Sequence, residues 1–216
     1  LWLRPPSSSR RREGGQGNNR LRVLVATGNP DKFREIVDII SFPGLEVISL
    51  RDMGAEGPAE TGLTLTENAR LKAEHGFRAS GMTTIAEDTG LCVEALSGMP
   101  GVFSSRFAGP VSTYKDNRQK LLSLLEGVPF ARRRAWFVTV ACLTRDGRSF
   151  SFAEGRVEGF IITKEQGQGG FGYDPVFLYP PMGRTFAELP PEVKNAVSHR
   201  AKALRMLKEL IINANF

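Results

Sequence analysis

From Leu21 onward the chain alternates between two apolar periods, one near two residues and one near 3.6. Leu21-Arg22-Val23-Leu24-Val25-Ala26 is a short apolar run bounded by the turn cluster Thr27-Gly28-Asn29-Pro30-Asp31, which predicts a buried strand. Phe33, Ile36, Val37 and Ile40 then fall at helical spacing until Pro43-Gly44 ends the helix. A second strand, Leu45 to Leu50, precedes a Gly/Pro-rich loop that runs through Gly62. Thr64-Leu65-Thr66-Glu67 has the form of a capping box and opens a helix to about Ala79. Thr83 to Ala86 reads as a third strand, with Glu87-Asp88-Thr89-Gly90 at its carboxyl end and Leu91 to Leu96 apolar again. A glycine-punctuated loop, Ser97 to Gly109, leads to a helix from about Thr113 to Glu126.

The second half changes character. Ala135 to Thr144 is an almost unbroken β-prone run that meets Asp146-Gly147, a strong hairpin signal. Ser149 to Ala153 alternates back, and Val157 to Ile162 extends that return strand. Gly167 to Asp174 forms another glycine-rich loop. The last helix runs from about Ser198 to Asn213, with Ala201, Leu204, Leu207 and Ile211 on one stripe and Lys208 snorkelling at its edge. The order β-α-β-α-β followed by a long hairpin predicts an α/β fold with a mixed sheet. Ligands in such folds sit beyond the carboxyl ends of strands.

Composition narrows the class. With 216 residues and 41% hydrophobic content the chain can build one compact core, which excludes wholesale disorder. No run of eighteen apolar residues exists, so no membrane-spanning helix is expected. Cys92 and Cys142 form no CxxC pair, which argues against a disulfide framework or a structural zinc site and fits a reducing, cytoplasmic setting. The formal charge of +6 suggests nucleic acid at first sight, but the first twenty residues hold five arginines against one glutamate. Most of the excess therefore belongs to the tail LWLRPPSSSRRREGGQGNNR, expected to be disordered or artefactual and set apart from a single domain over residues 21–216. Arg132-Arg133-Arg134 remains as a second basic cluster, read as a solvated strand entrance.

Four segments carry candidate chemistry. Thr27, Gly28, Asn29, Pro30, Asp31 and Lys32 join a buried strand to a helix start, where free N–H groups and the helix dipole favour an anion. The spacing is not that of a Walker A loop, and a plain capped helix explains it as well. Glu87 and Asp88 are neighbouring carboxylates whose repulsion a divalent cation would offset; hard oxygen donors suit Mg²⁺, with Glu60 as a further ligand. Alternatively one of them is free to take a proton from water, or the pair is a solvated turn. Phe171, Gly172, Tyr173 and Asp174 set aromatics between glycines, fit either to stack on a base or to bury in a tight turn. Ser198 is a good N-cap, and His199 and Arg200 beside it, with Lys194 upstream, present donors.

The stretches LVATGNPDKFREI, ETGLTLTENARLKA, AEDTGLCVEAL, GMPGVFSSRFAG, GGFGYDPVF and KNAVSHRAKAL together resemble the inosine triphosphate pyrophosphatase family, in its order, across nearly all of residues 22–207. The resemblance implies an elongated, two-lobed α/β fold with a long central mixed β-sheet flanked by helices and a cleft between the lobes. It also implies a homodimer and Mg²⁺-dependent hydrolysis of noncanonical purine nucleoside triphosphates (ITP, dITP, XTP) to the monophosphate and pyrophosphate. On that likeness Thr27, Gly28, Asn29 and Lys32 match the triphosphate-binding turn. Asp88 matches the general base and metal ligand, with Glu60 and Glu87 where acids help hold metal. Thr89 matches a substrate contact, Phe171 to Asp174 the loop packed on the base, and Lys194, His199 and Arg200 further contacts. Relatives often carry Asp in place of Glu87 and an acid in place of Ala59. Two other classes stay open: a nucleic-acid binder using the basic clusters, and a nucleotide sensor without turnover.

Overall fold

A computed structural model describes residues 20–213. The expectation for the basic tail therefore lies, save for Arg20, outside the described residues. One mixed sheet of eight strands organises the described chain, in the order β2-β1-β3-β5-β6-β7-β8, with β4 paired to β3 off this path. Strands β1 (Leu21–Val25), β2 (Leu45–Ser49) and the start of β3 (Thr83–Val93) run parallel. From β3 onward the pairing is antiparallel, through β5 (Arg134–Thr144), β6 (Phe150–Ile161), β7 (Phe177–Tyr179) and β8 (Arg184–Thr185). Strand β4 is the short Pro100–Gly101 segment. The mixed sheet expected from the sequence is thus present, and β6 is one continuous strand, as the extension through Val157 to Ile162 led one to expect.

Helices cover both faces. On one lie α1 (Pro30–Ile40) and α5 (His199–Asn213), whose Ile36, Ile40, Ala201, Leu204 and Leu207 pack with Val23, Val25, Ile85 and Ala141 of the sheet. On the other lies α2 (Leu65–Ser80), whose Ala69 and Ala73 meet Leu24, Ala26, Ala86 and Val140. Thr64 caps α2 through the anticipated box with Glu67, and left-handed Gly81 stops it. A third apolar cluster sits at the far end of the long strands, where Leu91, Phe137, Val157 and Phe177 pack under α3 (Tyr114–Leu124) and the glycine-rich loop. The two ends of the β3-β5-β6 unit thus have separate cores. The solvated strand entrance expected at Arg132–Arg134 is corrected at Arg133, which is 5% exposed and donates to Leu125 O and Val128 O, closing the end of α3.

Two differences from the sequence reading matter for the site. A short helix, α4 (Pro191–Val197), precedes Ser198, whose Oγ caps α5 by accepting from Ala201 N. Strand β3 also does not end at Ala86: it continues to Val93, in register with β5 from Thr84↔Thr144 to Val93↔Ala135. Glu87 and Asp88 are therefore mid-strand. Because β1 pairs only with Thr83–Ile85 and β4 only with Leu91–Cys92, the edge of β3 between them is left without a strand partner.

Helix α5 rests directly on β6 at Gly155, where an added Cβ would stand 2.0 Å from His199 O. Gly155→Ala must push away the helix end that carries His199 and Arg200. It is expected to cost about 1–3 kcal/mol, the usual penalty for overpacking, in a chemical-denaturation titration.

Candidate active site

The gap along β3 opens into a cleft lined by residues of β3, α1, α3, the glycine-rich loop, α4 and α5. Helix α1 starts at its rim. Asn29 caps α1, its Oδ1 accepting from Asp31 N at 2.9 Å and Lys32 N at 3.1 Å. Pro30 opens the first turn, and Asn29 N donates to Thr27 Oγ1 at 3.2 Å. Of this predicted turn, Asn29 and Lys32 line the cleft. Thr27, Gly28, Pro30 and Asp31 shape the turn without lining it, and Asp31 pairs with exposed Arg34.

The extended backbone sends Glu87 and Asp88 to opposite faces of the sheet. Glu87 shares the face of Ile85 with α1 and α5. There Arg200 forks onto it, Nε to Oε2 at 2.9 Å and Nη2 to Oε1 at 3.0 Å, and Lys32 Nζ stands 3.1 Å from Oε1. Burial alone would raise this carboxyl; the Arg200 and Lys32 charges overcome it and hold the group well below the usual carboxylate range. Asp88 shares the face of Ala86 with α2, where Asn68 Nδ2 donates to it at 3.2 Å and Lys72 Nζ at 2.7 Å. The expectation that the two carboxylates crowd each other is corrected by this alternation, and Glu87 is not brought to the Asp88 side.

Glu60 is. Its Oε1 lies 2.5 Å from Lys72 Nζ and its Oε2 3.0 Å from Arg106 Nη1. Lys72 thus bridges Glu60 and Asp88, and although burial opposes it, their charges raise its pKa and keep it protonated. Burial also disfavours the charged Glu60, yet Lys72 draws that carboxyl below its ordinary value.

The opposite wall is a second ionic cluster. Glu35 accepts from Lys194 Nζ at 2.7 Å and from Arg200 Nη1 at 2.5 Å, and Lys194 also pairs with buried Asp174. Asp174 in turn accepts from Phe171 N at 2.9 Å, which fixes the glycine-rich loop. The Phe171 ring lies under Lys194 Nζ at 4.8 Å and the Arg200 guanidinium at 5.4 Å. His199 stacks on Phe137 at 4.5 Å between ring centroids, and its Nδ1 is buried with no hydrogen-bond partner. Burial, with Arg200 and Lys194 nearby, holds the imidazole well below its ordinary value and keeps it neutral. Tyr173 is 5% exposed and donates to Ser104 O at 2.9 Å.

The cleft therefore brings together Asn29, Lys32, Glu60, Asp88, Thr89, Phe171, Gly172, Tyr173, Asp174, Lys194, His199 and Arg200. Sequence reasoning missed Glu35, Lys72, Asn68 and Tyr114, all helical residues whose partners come from distant segments. Lys72 and Asn68 stand four residues apart on α2, a spacing that marks one face, but nothing local says the face is acidic opposite.

Fold and site together define an α/β protein with a cleft whose cationic wall faces a carboxylate pair. The comparisons agree: the Ham1 family profile matches residues 23–210, and the chain belongs to the Ham1 family. It is 44% identical over 196 residues to a dITP/XTP pyrophosphatase of Photorhabdus laumondii, covering 89% of this chain and 99% of that one. It is 47% identical to a dITP/XTP pyrophosphatase of Caldanaerobacter subterraneus, covering 89% and 96%. Among solved structures, a HAM1 protein from Coxiella burnetii superposes with a TM-score of 0.80 at 36% identity, over 89% of this chain and 99% of that one. A nucleoside-triphosphatase / dITP/XTP pyrophosphatase from Mycobacterium abscessus gives 0.69 at 41% identity, over 86% and 98%.

Proposed function

We propose that this protein hydrolyses noncanonical purine nucleoside triphosphates, ITP, dITP and XTP, to the monophosphate and pyrophosphate. The observation that carries the reading is one cleft with Asp88 and Glu60 on one side and Lys32, Lys194 and His199 on the other. The names of the relatives support the same substrate class.

In this reading Lys32 and the Asn29 side-chain amide hold phosphate oxygens at the start of α1, where the helix dipole adds to the lysine charge. Asp88 accepts the proton of the water that attacks the α-phosphorus, and Lys72 with Asn68 fixes its orientation. Glu87 binds no substrate; it anchors Arg200 and Lys32. Phe171 offers a face to the base. Neutral His199, which lines the cleft, supplies an imidazole near the base, since the Arg200 guanidinium is already drawn onto Glu35 and Glu87. A 6-oxo purine fits such a donor, whereas the amino group of adenine opposes it and leaves buried groups unpaired, at about 1–3 kcal/mol.

Mg²⁺ fits the residues present. Among the described residues no three His, Cys, Asp or Glu side chains gather as a metal cage. Mg²⁺ typically takes only one or two protein carboxylates and completes its shell with waters and phosphates. Glu60 and Asp88 already close on one cation, the Lys72 ammonium, and would hold the metal. When bound it would neutralise charge on the polyphosphate and polarise its oxygens. A homodimer in the cytoplasm, as the family likeness implies, completes the proposal; among the described residues no helix is long and apolar enough to cross a membrane.

Pyrophosphate release from ITP, XTP, GTP and ATP, with and without chelator, tests the reading. Release from ITP and XTP alone, abolished by chelator, is the expected result; no release from any of the four overturns it. Lys32→Ala should raise KM about tenfold, the loss of one charge-assisted contact, and an unchanged KM removes Lys32 from the phosphate site.

A further inference from the structure

Tyr114 is the first residue of α3, held by the Thr113–Asp116 capping box. It is 37% exposed, yet its hydroxyl meets the start of α1 and its ring faces the glycine-rich loop. The hydroxyl accepts from Asn29 Nδ2 at 2.6 Å and reaches toward Asp31 Oδ2 at 3.5 Å. The ring stands 5.9 Å from Phe171, tilted by 39°.

The other half of the Asn29 amide explains the consequence. Its Oδ1 is spent on the N–H groups of Asp31 and Lys32 as the cap of α1. Of the Asn29 side chain only Nδ2 is left to meet a ligand, and one of its hydrogens is taken by the phenol. A phenol oxygen is a neutral acceptor, whereas a phosphate oxygen is charged and accepts roughly twice as strongly. The two compete for one donor, and the charged acceptor wins.

We propose that Tyr114 is a displaceable stopper on the phosphate turn: its hydroxyl occupies the Asn29 amide until a substrate phosphate oxygen replaces it. The inference rests on the reading of that turn as a phosphate site. Tyr114 acts here as a determinant of substrate affinity and takes no part in bond breaking. Its cost falls on every polyphosphate alike, because it is set at the phosphate end and not at the base.

Tyr114→Phe keeps the ring and removes only the hydroxyl, and the position is exposed enough for the variant to fold. Pyrophosphate release from ITP should show KM lowered about two- to tenfold, the worth of one net hydrogen bond, with kcat held. Calorimetry with inorganic tripolyphosphate and Mg²⁺ should show Kd lowered by the same factor. A KM or Kd at or above the wild-type value overturns the proposal. Tyr114→Ala separates the two parts of the side chain. It should match the Phe variant toward tripolyphosphate, and a Kd left at the wild-type value sinks the stopper. Absence of turnover in the wild-type protein would fail the proposed reaction, while the tripolyphosphate titration would still decide the role of Tyr114.

Discussion

Asp88→Asn is expected to lower kcat for ITP by about a hundred- to ten-thousand-fold, the span that a positioned general base contributes. The substitution keeps the shape of the side chain and an oxygen for Lys72. It also leaves Lys72 paired with Glu60 at 2.5 Å, so no buried ammonium is stranded. The thermal midpoint should therefore shift little while pyrophosphate release collapses. Turnover near the wild-type rate would remove Asp88 from proton transfer and leave it as a partner of Lys72 alone.

Glu87→Gln should act on the opposite quantity. Glu87 is the shared counter-ion of Arg200 and Lys32, and its side chain is fully buried. Removing one partner of such a cluster leaves a charge uncompensated, which typically costs about 3–5 kcal/mol. For a domain of this size that is roughly a 10 °C fall in Tm. The charged form of Glu87 is favoured in the fold, so the unfolded chain takes up a proton first as pH falls. Its contribution is intact above the ordinary carboxyl value of 4.5 and lost below it. His199 acts in the same direction from a higher starting point: neutral in the fold, it gains a proton more readily when unfolded, below its ordinary value of 6.5. Acid unfolding of the wild-type protein should begin near pH 6.5 and steepen under pH 4.5. In Glu87→Gln the second, steeper phase should be blunted, which denaturant titrations at several pH values will read. A variant as stable as the wild type would refute the anchoring role.

Periodicity and caps made the scaffold legible. The run Leu21–Ala26, the Thr64–Glu67 box, the Asp146-Gly147 turn and the stripe on α5 are local signals, and each names its element without help from elsewhere. Helix α4 escaped because its seven residues, opened by Pro191, are too few to show a period. The continuation of β3 escaped for another reason: Thr89-Gly90 looks like a bend, and only the ladder with β5 keeps it straight. That single misplacement hid the separation of Glu87 from Asp88, because alternation along a strand would have parted them at once. Glu35, Lys72 and Tyr114 were illegible for a deeper reason. Each looks like an ordinary helical surface residue, and what makes it part of the site is a partner on another element, 12 to 16 positions away for Lys72 and far more for Glu35 and Tyr114.

The order in which the segments leave the ribosome gives the ionic wall a further consequence. Glu35 and Glu87 are synthesised long before Arg200, which joins them from the final helix. Until that helix has emerged, Glu87 has only Lys32 opposite it, and the guanidinium that ties it to Glu35 is missing. The pocket is thus completed only by the last helix, and a chain terminated ahead of α5 lacks both the guanidinium and the His199 ring that finish it.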